Sequence, residues 1–133
     1  MNKVELGVKL ANMRNGQSIE GLTDYAVKSI EEARSSYPVA NMLMYCNRLH
    51  IVVVLKDTAT MECYPVENTS EVHDVLQMLM QRWQIDDTMM FRKTGIHYTA
   101  PKSKADAERG SLSIDTMLAM CKTLRCELNF VQN

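Results

Sequence analysis

Between positions 92 and 109 the chain gathers Arg92, Lys93, Lys102, Lys104 and Arg109 against Asp106 and Glu108 alone. Cations clustered so closely are suited to neutralising phosphates. His97, Thr99 and Ser103 lie among them and can hydrogen-bond, and Tyr98 can stack or rest on a sugar. Phosphate contacts position a protein, while base contacts specify sequence. Residue type does not sort these side chains between the two roles. The surroundings make the segment stand out. Residues 57–91 hold seven carboxylates against Arg82 alone, a net −6, yet the whole protein carries only −1. A near-neutral chain can therefore present one basic surface. Charge alone describes a solvated loop equally well, so the elements that carry the segment must decide.

Other chemistry is sparse. The five glycines, at 7, 16, 21, 95 and 110, form no phosphate-cradling loop. The histidines at 50, 73 and 97 offer no nucleophile–His–acid arrangement. Cys46 and His50 stand four apart, but no second pair completes a metal site, so a buried thiol and a surface imidazole are expected. The carboxylates of residues 57–87 lack metal-ligand spacing. The expectation is a protein that is not an enzyme and uses no cofactor and no metal.

The elements around the basic segment begin with residues 112–131. Ser113 is a helix cap, with Asp115 in the first turn where the helix dipole favours it. Ile114, Met117, Leu118, Cys121 and Leu124 then share one helical face. After Arg125 the period changes to two, and Cys126, Leu128 and Phe130 alternate with Glu127 and Asn129 as in a half-buried strand. A shift of 75 residues finds the same unit earlier. Val39, Met42, Leu43, Cys46 and Leu49 repeat the helical face, and Ile51, Val53 and Leu55 repeat the strand. Two related helix-plus-strand units are expected, each ending one half of the chain.

Ahead of both, Leu6, Leu10 and Met13 predict a first helix that stops near Asn15-Gly16. Ser18 can cap a helix bearing Ile19, Leu22, Ala26, Ile30 and Ala33, either continuous or split near Ala26-Val27. Pro38 suits the first helical position of the next. His50 to Leu55 reads as a strand, and Met61, Cys63 and Pro65 as an edge strand, because proline cannot donate to a ladder. Ser70 is the expected cap of a helix with Val72, Val75, Leu76, Leu79 and Trp83 on its apolar face. Asp86 or Asp87 opens a shorter helix ended by Gly95 in the left-handed region. A marginal helix from Pro101 to Arg109, closed by Gly110, completes the set.

The order helix, short helix, Gly-Ile turn, basic segment, helix and strand resembles the phage-repressor-like helix-turn-helix family. Arg92-Lys93-Thr94-Gly95-Ile96 looks like the end of that family's second helix and its turn. Residues 112–124 with Arg125-Cys126-Glu127-Leu128 look like its fourth helix and tail. The likeness covers residues 72–131, with a degenerate copy over residues 4–55. It implies a recognition segment over residues 96–109 seated in the major groove. The DNA-binding residues it implies are Arg92, Lys93, His97, Tyr98, Thr99, Lys102, Ser103, Lys104 and Arg109. Double-stranded DNA and a second copy of the chain are the implied partners, since two-fold operators favour dimers. Pro101 departs from the pattern and requires a longer turn or a delayed helix start. The first half has no glycine turn and an acidic middle helix, so it is expected to brace or dimerise.

At 133 residues and 46% hydrophobic, the chain suits one compact domain. The expected fold is mainly α (α+β), a pseudo-duplicated repressor-like helical bundle with a small antiparallel sheet. Its halves are residues 1–56 and 70–131, joined by 57–69. The cysteines at 46, 63, 121 and 126 include no C-x-x-C, and the amino terminus lacks a secretory pattern, so a cytoplasmic setting is expected. The 11 methionines sit mostly on helix faces and are expected to fill the core. The functional expectation is a sequence-specific transcriptional regulator. The alternative is a protein-interaction module, such as an antitoxin, that keeps the scaffold without binding DNA.

Overall fold

The computed structural model describes residues 1–109 and 111–132. Helix α1, Lys3–Arg14, starts where Asn2 Oδ1 accepts the Glu5 N–H at 2.8 Å, and it stops at Asn15, whose φ is 48°. Helix α2 is Asp24–Glu31, which differs from both expected forms of this region. Gly21, at φ 92°, takes a backbone conformation that excludes a helix running on from Ile19. Thr23 then caps the shorter helix by accepting the Ala26 N–H at 3.1 Å, and Ser18 caps nothing. Ile19 is still buried, but from a turn.

Helix α3, Val39–Arg48, follows Pro38 at its cap position, and strand β1, Ile51–Asp57, follows α3. Strand β2, Cys63–Val66, lies at the sheet edge with Pro65 in it, as expected. Helix α4, Thr69–Arg82, is capped by Asn68, not Ser70: Asn68 Oδ1 accepts the Glu71 N–H at 2.9 Å. Helix α5, Asp87–Thr94, runs from the Asp86 cap to Gly95 at φ 75°. Helix α6 is only Lys104–Arg109, and the expected closure at Gly110 lies outside the described residues. Ser113 caps helix α7, Ile114–Thr123, and strand β3, Cys126–Gln132, ends the fold. The fold is mainly helical with one small antiparallel sheet, in the order β2-β1-β3.

The 75-residue shift carries α3 onto α7 and β1 onto β3. Pro38 bridges its own equivalent, Ser113, and Val54 pairs with its own equivalent, Asn129. In antiparallel pairing, a residue meets its equivalent only on a two-fold axis, so these two meetings fix a local two-fold. Both units turn from helix to strand through a residue in the left-handed region, His50 at φ 58° and Arg125 at φ 57°. Under a shift of 66 residues α1 matches α4, with Asn2 and Asn68 as caps and Glu5 and Glu71 as their donors. Each of these first helices packs across the axis, α1 on α7 and α4 on α3.

One face of the sheet carries the core. Ile51, Val53, Leu55, Val66, Leu128 and Phe130 are all buried beneath the helices. Two polar anchors tie the layers. Asp57, buried at the end of β1, receives Arg82 Nη1 from α4 at 2.5 Å and the Ala59 N–H at 2.9 Å. Burial opposes the Asp57 charge, but these donors overcome it and hold the carboxyl below its usual range. On the other side, Arg14 of α1 grips Glu31 of α2 through Nε and Nη2, and Tyr45 of α3 contacts the same carboxylate. Three helices thus share one ion pair.

Candidate nucleic-acid interface

The basic residues lie on the stretch from the last turn of α5 to α6. Arg92 and Lys93 close α5, where cations also offset the helix dipole. Nine residues, 95–103, then separate α5 from α6. A helix-turn-helix joins its helices by a turn of about 3–4 residues, so this connection is longer, as Pro101 requires. Gly95 turns the chain, and the backbone stays irregular until Ser103 Oγ accepts the Asp106 N–H at 3.1 Å and opens α6. The expected helix from Pro101 therefore starts at Lys104. Two contacts hold α6 on α4: Ala107 is buried, and Glu108 Oε1 accepts the Ser70 N–H at 3.3 Å.

The side chains divide into two groups. Arg92, Lys93, Lys102 and Lys104 are exposed and make no ion pair among the described residues. Thr99 and Ser103 are exposed beside them. Arg109 is exposed but already paired with Asp106 at 2.6 Å. His97 stacks on Phe91, with ring centroids 4.0 Å apart and a tilt of 16°. Tyr98 corrects the sequence expectation. It is 6% exposed and points inward, so it is not available to stack on a base or rest on a sugar.

What Tyr98 does instead is bind His73 of α4, with Oη 2.6 Å from Nδ1. Burial pushes the Tyr98 phenol up to about 12, and burial lowers His73 despite the nearby Asp74 and Glu108 carboxylates. Both groups are therefore neutral near pH 7, and a hydrogen bond between two neutral groups joins the Tyr98 phenol to Nδ1 of His73. The pair forms one wall of a cleft of about 540 Å³, closed by Pro101, Lys102, Asp106 and Thr116. It staples the irregular 95–103 segment to α4, which is how a stretch with little secondary structure keeps its place. Sequence reasoning missed His73. The available signal was its spacing from Leu76 and Met80, which puts it on a buried stripe of α4.

No group of three or more metal-ligating side chains occurs among the described residues, and no helix there is long and apolar enough to cross a membrane. Cys46 is buried and His50 exposed, the arrangement expected of a lone pair of this kind. Compared with known proteins, the chain matches no family model, no characterised sequence and no solved structure.

Proposed function

We propose that the protein is a cytoplasmic DNA-binding regulator that contacts duplex DNA with the segment from α5 to α6. One observation carries this reading. Arg92, Lys93, Lys102 and Lys104 are exposed, and without an ion pair among the described residues, on one continuous segment of an otherwise acidic chain. Thr99 and Ser103 supply the nearby groups able to read base edges or bond phosphates. The reading does not need a long recognition helix. A stapled segment leading into α6 delivers the cations, with Tyr98 as the staple and not as a contact.

The test is fluorescence anisotropy with mixed-sequence duplex DNA, titrated over salt. Four phosphate contacts would give log K against log salt a slope of about −3.6. Lys102→Ala with Lys104→Ala should remove about half of that slope. No binding at ~50 mM salt, where non-specific attraction is strongest, would overturn the reading, as would a slope indifferent to the double substitution. The second reading, a protein-interaction module on the same scaffold, draws on a different observation: among the described residues none pairs with the outer edge of β3.

A further inference from the structure

The local two-fold exposes a mismatch between the halves. In the first half β1 is covered on its outer side by β2, which runs straight into the Asn68 cap of α4. In the second half no described residue pairs with the outer side of β3. The alternation is fixed by Thr58 N–H donating to Arg125 O and Asp57 N–H donating to Glu62 O. Even-numbered residues of β1 therefore face β3 and odd-numbered ones face β2. On β3 the backbone groups of Leu128 and Phe130 consequently point outward, where those of Val53 and Leu55 meet β2.

Beside that open edge lies a groove of about 620 Å³, lined by Asn2 and Lys3 of the α1 start, Leu118, Ala119 and Lys122 of α7, and Leu128. Its counterpart in the first half measures about 310 Å³ and is lined by Leu43, Met44, Asn47, Asn68 and Thr69. The two sets correspond residue by residue: Leu43 to Leu118, Met44 to Ala119, Asn47 to Lys122, Asn68 to Asn2. The open groove is thus the equivalent of the place that β2 enters, widened where alanine replaces methionine.

We infer that the outer edge of β3 is a docking site for an extended peptide, which adds to the sheet as a fourth strand antiparallel to β3. The first half supplies the template for its chemistry. Val66 of β2 is buried opposite Val53, whose equivalent is Leu128, so the incoming strand places an apolar side chain there. Next comes Glu67, whose carbonyl accepts from Asn47 Nδ2 at 3.1 Å. Lys122 stands in the place of Asn47, so the backbone carbonyl of the residue following the apolar one meets an ammonium. The occupant is a lone strand and not β3 of a second copy. A second β3 arrives covered by its own α7, and α1 already takes the place that α4 takes beneath β2. Strand addition of this kind draws affinity from main-chain bonds and specificity from alternate side chains. The inference stands independently of DNA binding.

The probe is a labelled synthetic peptide with the β2 sequence, residues 60–67, carrying Cys63→Ser. It is titrated into the full chain by anisotropy, with amide exchange followed at Leu128 and Phe130. Saturable binding with slowed exchange at both amides is expected. Ala119→Arg, checked for native circular dichroism, should weaken binding about tenfold or more. Lys122→Glu, which sets a carboxylate against that carbonyl, should weaken it too. Absence of saturable binding overturns the inference. So does binding that Ala119→Arg leaves unchanged, with protection appearing on β1 instead. A dimer in sedimentation that itself protects Leu128 and Phe130 would also overturn it, by assigning the edge to a second copy.

Discussion

Gly7→Ala sets two effects of opposite sign against each other. Gly7 lies inside α1 and is buried. Alanine is the better helix former there by about 1 kcal/mol, so helix propensity alone predicts a more stable protein. The packing says otherwise. A Cβ at Gly7 would lie 2.5 Å from Glu31 O and 2.6 Å from Ile30 O, both backbone atoms at the end of α2. Ordinary contact needs α1 and α2 to separate by about 1 Å. That movement also pulls Arg14 from Glu31 and Glu31 from Tyr45, because the three helices share that carboxylate. Overpacking of this kind costs about 1–3 kcal/mol or more, and its backbone partners cannot rotate away. With backbone on both sides the cost falls at the upper end of that range, so the clash should win, with a net loss of about 2 kcal/mol after the propensity gain is subtracted. For a chain of this length that lowers Tm by roughly 3–10 °C. The assay is urea and thermal unfolding followed by circular dichroism. A variant as stable as the parent, or more so, would refute the argument, because helix propensity would then have outweighed the contact between α1 and α2.

Three further outcomes follow from which groups are buried and which are not. The folded-state value of His73 lies below its ordinary 6.5. Its contribution to stability is therefore fully present above about pH 6.5 and declines as pH falls from there toward the folded value, because the unfolded chain takes up the proton first. Tyr98→Phe should cost about 1–2 kcal/mol at neutral pH by leaving Nδ1 unsatisfied; a Tm unchanged by this substitution would remove the staple. Of the four cysteines only Cys63 is exposed, so an aromatic disulfide reagent should modify one thiol rapidly and the others only on unfolding. Fast modification of more than one would contradict the packing around Cys46, whose thiol burial pushes up to about 12.

The helix faces were legible because they rest on spacing. The run Ile114, Met117, Leu118, Cys121 and Leu124 predicted both a buried face and, through its earlier copy, the helix and strand of the first half. The stop signals Asn15 and Gly95 were equally local. The errors occurred where several residues could perform one task. Ser18 and Ser70 are good caps by type, but Thr23 and Asn68 hold the positions from which a side chain reaches the third N–H. Gly21 lay between Ile19 and Leu22, whose spacing with Ala26 and Ile30 would otherwise make a helix. At the candidate site, exposure of the lysines followed from their type, whereas burial of Tyr98 depended on a histidine 25 residues away. The open edge of β3 had no local signal at all, because it exists only once strand order is known.

The Pro38–Ser113 bridge and the β1–β3 ladder also govern when the protein can come into being. The ladder joins Ile51 to Gln132 and Asp57 to Cys126, so the central strand lacks one neighbour until the carboxy-terminal strand has been synthesised. Closing so long a loop costs chain entropy before any pairing returns it, which slows folding. A nascent chain on the ribosome can hold β1 and β2 as a hairpin, but the apolar face of that hairpin waits for α7 and β3. The two halves therefore behave less like beads on a string than like clasped hands. Each supplies the other's missing surface, and a chain cut between them should recover its structure only when both pieces are present together.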